Sequence, residues 1–418
     1  MATTKWSDDQ FLDSLRLLGD AQADACVEAL ICDSENEGKD FHLLFKGLNS
    51  NSAVVPEGIP DVLRRFFEDT AGHPVVDGQP ADLERLERGG SVLLRNAFLS
   101  ALALVAKSLN EGYAAPNLAV ILSISKNLER NPYDRLLGVL QMVINVCNST
   151  AFGGSGNALI TAQKLRLLHA GVRLVVREPE GRLPGFPEDY PKDLGKYEEL
   201  YQVPVNLEDM LGTIMGFSLL VVDGMQNLGA RLSDSEAEDF YYVWRTFGQA
   251  MGIHPPGKAE SSEFIPTSLA EAREFYTSYS RRHYRPVEEN PEGVALAQSN
   301  LDLMNALLPQ TPLRRMGLKL VPRVYMQYLM GKDLMRQVGI KPVRGFWITR
   351  GFLGVIPFMW RWFWKCADRL GGLGTRHERL SYQLFQRLIT KGVGVEVNFR
   401  IPQDLSDLHE LGERRTDC

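Results

Sequence analysis

The sequence predicts an all-α protein. Apolar residues recur at three- and four-residue spacing in segment after segment, and turn or cap residues bound those segments. Period-two alternation, the mark of a half-buried strand, appears only around Gly392 to Phe399. With 418 residues, 44% of them hydrophobic and 23% charged, the chain can bury one or two cores.

In chain order, helices are expected over Asp8 to Leu18, Asp61 to Phe67, Ser91 to Leu109 and Asn117 to Leu128. A central set follows over Tyr133 to Cys147, Ala158 to Val176, Leu207 to Asn227 and Asp234 to Met251. Asn131-Pro132 is a start signal, because Asn can cap and Pro suits the first helical position. Loops are expected over Glu178 to Pro204, which carries Pro179, Pro184, Pro187, Pro191 and Pro204, and over His254 to Glu263 with its Pro255-Pro256-Gly257. The chain divides into an N-terminal helical part (1–90), a central helical core (91–255) and a C-terminal helical part (256–418) packed on that core.

Composition excludes several classes of function. Lys and Arg number 46 against 52 Asp and Glu, a formal net charge of −6 without any run of five basic residues, so no dedicated nucleic-acid surface is expected. Met1 to Asp9 has neither a basic stretch before an apolar run nor twin arginines, which leads to the expectation of a cytoplasmic, reducing location. Five scattered cysteines form no Cys-x-x-Cys pair and read as buried thiols. The uncharged run from Gly351 to Trp360 is half the roughly twenty residues a membrane-spanning helix needs, so no transmembrane segment is expected.

Most catalytic signatures are missing: there is no His-x-x-x-His, Glu-x-x-His, Gly-x-Ser-x-Gly or Walker loop. Gly153-Gly154-Ser155-Gly156 opens a helix, but a helix precedes it and Leu159 stands where a dinucleotide fingerprint has its third glycine. It reads as an inter-helix turn. Of seven histidines, His169 alone lies in the middle of a strongly amphipathic helix. On that helix Ala162, Leu165, Arg166, His169, Val172, Arg173 and Val176 share one face. Arginines one turn before and one turn after the imidazole suit a flat, apolar ligand edged with carboxylates. A lone histidine on an apolar face is, however, more often a hydrogen-bonded core residue, and spacing alone leaves both readings open.

Several blocks in fixed order narrow the choice. GYAAPN (Gly112 to Asn117), NPYDRLLGVLQMV (Asn131 to Val143), AQKLRLLHAGVR (Ala162 to Arg173), PVNLEDMLGTIMGFSLLVVDGMQNLG (Pro204 to Gly229) and YYVWRTFGQAMGI (Tyr241 to Ile253) together resemble one family. It is the rubber oxygenase (latex-clearing protein) catalytic domain, shared with a fungal endoplasmic-reticulum-bound oxygenase. The resemblance implies a globin-like helical core holding haem b, with iron bound by the histidine of the Leu-His-Ala block, here His169. It also implies the use of dioxygen to oxidise or cleave carbon–carbon double bonds in apolar isoprenoid chains.

The rubber oxygenases further place an arginine, then a lysine and a threonine three and four residues on, at the side of the haem facing the oxygen. Arg135 matches the arginine, whereas Gly138 and Val139 replace the other two. Arg135 is then the cationic donor of an otherwise more apolar pocket that includes Val139, with an ion pair to Asp209 as the alternative. Arg166 and Arg173 become candidate partners of the haem propionates.

Near the C-terminus Trp347, Trp360, Trp362 and Trp364 interleave with Arg350, Arg361 and Lys365, within residues 346–366. The pattern fits peripheral contact with a membrane surface or a seam packing the C-terminal helices, on the core or on a second copy of the chain. The expected function is thus a haem b-dependent oxygenase acting with dioxygen on an apolar, unsaturated small molecule. A haem peroxidase or monooxygenase, or a non-catalytic haem-binding helical protein, is the alternative.

Overall fold

The computed structural model describes residues 4–32, 48–72, 74–124, 132–177, 196–308 and 318–344. Helix α1 covers Asp9–Arg16, with the Asp8 carboxylate accepting from the Gln10 amide at its start. Helices α2 (Ala21–Cys32) and α3 (Asp61–Thr70) follow. Helix α4 (Leu83–Arg95) is capped by Asp82, and α5 (Ala97–Ala103) runs through a π-turn (Leu104–Ser108) into the short α6 (Leu109–Gly112). Then come α7 (Pro116–Ile124), α8 (Pro132–Cys147), α9 (Ala158–Arg177) and α10 (Tyr197–Tyr201). Helices α11 (Leu207–Phe217) and α12 (Leu219–Asn227) lead to α13 (Asp234–Ala250), which Ser233 and Glu236 start with a reciprocal capping box. The series closes with α14 (Leu269–His283), α15 (Pro291–Ala306) and α16 (Val321–Gln337).

The all-α expectation holds, with local corrections. The span expected as one helix, Leu207 to Asn227, is two, broken at Ser218 where φ is −102° and ψ −82°. No Pro marks the break, and Gly216 lies inside the first helix; the Ser218 hydroxyl donates back to the Ile214 carbonyl at 2.7 Å and satisfies the turn it disrupts. The helix expected from Ser91 begins at Leu83 and bends by 81° between Leu83–Arg95 and Ala97–Gly112. Part of the expected loop from Glu178 to Pro204 is helix α10, and residues 178–195 lie outside the described residues. So does the alternating stretch from Gly392 to Phe399.

A two-stranded antiparallel pair, Val75–Val76 with Gln79–Pro80, escaped the sequence reading. Its turn residues Asp77 and Gly78 both have positive φ, 54° and 72°, the hairpin signal an Asp-Gly dipeptide gives. Among the described residues no single helix is long and apolar enough to cross a membrane. Cys26 and Cys147 are buried free thiols, as expected, and burial raises the pKa of both.

One hydrophobic cluster runs from Trp6 to Val343 and joins residues of all three expected parts, including Trp244, Phe247, Leu211 and Met326. A second joins Ala23 and Cys26 of α2 and Phe66 and Phe67 of α3 to Ile160, Leu167 and Ala170 of α9. Helix α9 is therefore covered by the N-terminal layer on one side. Leu165 packs against the main cluster on another.

Close approach of α4 to α13 depends on Gly89, where a Cβ would collide with the carbonyl of Asp239. That obstacle is backbone and cannot swing away. Gly89→Ala should cost about 2 kcal/mol or more in urea unfolding, outweighing the helix propensity that alanine adds. Gly138→Ala in α8, where a Cβ meets nothing within 4 Å, should instead stabilise by about 0.5–1 kcal/mol. Equal shifts in the two variants would refute the packing assignment.

Candidate active site

Helix α9 is anchored at its start by a side chain from outside it. The Asn51 carboxamide oxygen accepts from the Leu159 and Ile160 amides at 3.0 and 3.2 Å, while its nitrogen donates to the Ala151 and Gly153 carbonyls at 2.8 and 2.7 Å. Asn51 and Ser52 amides also donate to the Gly156 and Gly154 carbonyls. The glycine-rich segment is thus an inter-helix turn pinned by Asn51, and two of the helix's first amides are already taken.

His169 sits midway along α9. Its ring is half-buried, and Nδ1 is sealed from solvent without a hydrogen-bond partner among the described residues. Burial, and then the nearby Arg173 charge, lower its pKa to about 4, so the imidazole is neutral at physiological pH and keeps a lone pair free. One turn on, Val172 and Val176 pack with Val120 and Ile121 of α7 and with Tyr197 and Tyr201 of α10. A neutral imidazole on an apolar helix face can give one ring nitrogen to haem iron, while the other ring nitrogen of such a ligand commonly donates to a carbonyl, a carboxylate or water. The residues around His169 fit that group.

The two arginines are held differently from the sequence expectation. Arg166 closes on Asp20, Nε at 2.6 Å and Nη2 at 3.0 Å, and reaches Gln22 at 3.1 Å. Burial works against the Asp20 charge, but Arg166 still holds its carboxyl below the usual range. Arg173, 1% exposed, gives Nε to Asp24 at 2.6 Å and Nη1 to the Val205 carbonyl at 3.3 Å. Protein carboxylates thus occupy the places assigned to propionates. Of these two guanidinium groups, only Arg173 has a nitrogen, Nη2, that is buried without a partner among the described residues.

Arg135 lies in the first turn of α8, with its side chain outside the described residues. Asp209, its alternative partner, already accepts from Arg16 at 3.2 Å, Asn117 at 2.5 Å, Asn206 at 2.9 Å and Tyr279 at 3.2 Å. Val139 lines a cavity of about 200 Å³ together with Leu118 of α7, Leu136 of α8, Phe217 of α11 and Leu303 of α15. His169 is not part of that lining. Residues 346–366, with their tryptophans, lie outside the described residues.

Sequence reasoning missed the polar groups behind the cavity. The π-turn brings Ser108 to its wall, and the Val105 carbonyl accepts from Asn110 at 2.7 Å and Asn300 at 2.8 Å. Glu111 pairs with Lys107 and accepts from the Tyr276 hydroxyl at 3.2 Å, and Tyr276 lies 2.5 Å from the Tyr284 hydroxyl. Burial raises the pKa of both phenols well above the ordinary value, keeping them protonated. These partners are scattered along the chain, and no local motif announces them. Among the described residues no group of three or more His, Cys, Asp or Glu side chains could share a metal ion.

Residues 88–358, more than half of the chain, match the family described as "ER-bound oxygenase mpaB/B'/Rubber oxygenase, catalytic domain". A rubber oxygenase of Streptomyces sp. (strain K30) is 24% identical over 290 residues, covering 69% of this chain and 64% of that protein's length. The chain thus spans less than two thirds of that relative. Latex clearing protein LCP in its closed state superposes with a TM-score of 0.63 at 20% identity, covering 97% of this chain and 91% of the other. The helical fold is shared.

If Arg166 serves the fold, removing its partner should be costly and replacing the pair cheap. Asp20→Ala leaves a buried guanidinium with Gln22 alone and should lose about 3–5 kcal/mol in chemical denaturation. The double variant Asp20→Leu with Arg166→Met should recover most of that loss. A mild Asp20→Ala phenotype would free Arg166 for another role.

Proposed function

The chain belongs to the ER-bound oxygenase and rubber oxygenase catalytic-domain family, and on that premise we propose that it is a haem b-dependent oxygenase, an oxidoreductase. Its reaction uses dioxygen to oxidise or cleave a carbon–carbon double bond in an apolar, isoprenoid-like or otherwise unsaturated small molecule. The observation that carries this reading is His169: a half-buried, neutral imidazole whose Nδ1 has no hydrogen-bond partner among the described residues. One such donor suffices where the porphyrin brings the iron's other ligands with it.

When bound, haem supplies the redox chemistry with dioxygen. The chain's own residues bind and orient. His169 would hold the iron, and Arg173, whose Nη2 has no partner among the described residues, would hold a propionate, whereas Arg166 pairs with Asp20 and serves the fold. Val139, Leu136 and Phe217 exclude water from the space where an apolar substrate lies. Arg135 supplies the cationic donor to charge that develops on oxygen. A cytoplasmic site, peripheral membrane contact through residues 346–366 and self-association are part of the same proposal.

Purified full chain supplied with haem should show a Soret band at one haem per chain. His169→Ala should abolish stoichiometric binding while circular dichroism stays near wild type. Unchanged occupancy in that variant would exclude His169 as the ligand. Dioxygen rather than peroxide should sustain turnover, and the reverse would favour the peroxidase alternative.

A second expectation concerns Arg135. One charge-assisted hydrogen bond is worth roughly 1.5–3 kcal/mol, so Arg135→Leu should slow dioxygen-dependent turnover about ten- to a hundredfold. Haem should still bind. Near-normal turnover would remove the side chain from the oxygen chemistry, and lost haem would make it a structural or propionate contact.

A further inference from the structure

Helix α14 brings two tyrosines, Tyr276 and Tyr279, to the cavity lined by Val139, and the hydroxyl of each donates to a buried carboxylate. Tyr276 donates to Glu111 and Tyr279 to Asp209, both at 3.2 Å. The Tyr284 hydroxyl, 2.5 Å from that of Tyr276, is then the donor of its pair. Leading away from the cavity, Tyr276 and Tyr279 stack with ring centres 6.3 Å apart, Phe275 lies 5.9 Å from Tyr279, and Trp6 meets Phe275 edge-on at 6.1 Å. Trp6 sits in the turn Lys5–Ser7 beside the exposed Lys5, and its Nε1 donates to Glu271 at 3.1 Å.

Tyrosine and tryptophan carry the most readily oxidised rings in proteins. Loss of one electron turns a phenol or an indole into a strong acid, so oxidation is far easier where a base takes the proton in the same step. A carboxylate is such a base, and a backbone carbonyl is not. All three oxidisable rings of this series donate to a carboxylate, and burial keeps both phenols protonated at rest. Buried Tyr241 donates instead to the Pro266 carbonyl at 2.8 Å, and Trp244 Nε1 has no partner among the described residues. At Trp6 the Lys5 ammonium lies 4.8 Å from the ring centre and disfavours a positive indole radical, so the proton has to leave toward Glu271.

We propose that Tyr276, Tyr279 and Trp6 form a relay that carries single electrons into the cavity and quenches peroxyl radicals there. The quenching role rests on the oxygenase reading, because an unsaturated hydrocarbon held with dioxygen forms peroxyl radicals when its oxidation miscarries. A peroxyl radical takes one electron from Tyr276 and becomes a hydroperoxide anion, while the Tyr276 O–H bond breaks and its proton goes to Glu111. Tyr279 then returns an electron to Tyr276 and passes its own proton to Asp209, as Glu111 gives back the proton it held. Trp6 restores Tyr279 in the same way, with its N–H proton going to Glu271. A thiol in the solvent finally restores Trp6 by one electron, Glu271 returns the proton, and the proton the thiol loses balances the one the hydroperoxide takes up.

Photogenerated ruthenium(III) tris(bipyridine) tests the relay on the full chain as isolated, since it removes single electrons without haem or substrate. Freeze-quenched electron paramagnetic resonance should show a tyrosyl radical. Its yield should fall at least twofold in the double variant Tyr276→Phe with Tyr279→Phe, and at least twofold in Trp6→Phe, which keeps both tyrosines. Tyr241→Phe should leave it unchanged. A wild-type yield in the double variant or in folded Trp6→Phe, or an equal loss in Tyr241→Phe, would overturn the relay. The double variant keeps every ring and decides the matter if Trp6→Phe does not fold. Peroxyl radicals from the apolar initiator azobis(dimethylvaleronitrile) test the quenching: mass spectrometry should find oxidised cavity side chains at least twofold more often in the double variant than in wild type. Equal damage would overturn that role. A chain that takes up no haem yet passes both tests would sink the oxygenase reading and leave the relay standing, whereas a haem-loaded, active chain that fails them would do the reverse.

Discussion

Helix α9 is enclosed on several sides and yet carries buried polar side chains, among them Gln163, Lys164, Arg166 and Arg173. Each must find a partner or pay a desolvation penalty that would unfold the region. The residues before position 90 supply those partners: Phe67 and Thr70 for Gln163, the Leu48 carbonyl for Lys164, Asp20 for Arg166 and Asp24 for Arg173. The position of His169 depends on this arrangement. The N-terminal layer is a polar jacket for the candidate haem helix, and Asn51 holds the end of that helix in the same way.

How much of this the sequence disclosed follows from the range of each interaction. Helix periodicity and caps are local, so α8, α9 and α13 were legible to within a residue or two. The break at Ser218 was not, because an apolar run without Pro, whose Gly212 and Gly216 both lie inside the first helix, looks the same whether the backbone continues or turns. His169 stood out as the imidazole on an apolar face, which is again local. The protein partner of Arg166 was not legible for the opposite reason: Asp20 is 146 residues away in the chain, and no spacing rule links the two. An arginine on a helix face shows that it needs an anion without showing which anion answers.

The π-turn at Leu104–Ser108 illustrates how irregular backbone and cavity shape are connected. Inserting an extra residue into a helical turn disturbs its hydrogen-bond ladder and widens it locally. Here Asn110 and Asn300 meet the Val105 carbonyl from two elements, and Ser108 is carried to the cavity wall. Asn300 belongs to α15, beyond the central core expected from sequence, so the C-terminal part shapes the same space that Val139 lines.

The unit of kinship and the unit of folding do not coincide in this chain. The match to the family's catalytic domain begins at residue 88, whereas the atoms that neutralise and satisfy α9 come from Asp20 to Thr70. A fragment cut at the border of the recognisable region would retain His169 and every block by which relatives are identified. It would also hold a lysine, two arginines and a glutamine with their counterparts deleted and the apolar side of α9 stripped bare. Ancestry can therefore be read from a segment that cannot by itself keep the candidate haem helix covered, and any transplant of this region into another protein has to carry the residues before position 88 with it.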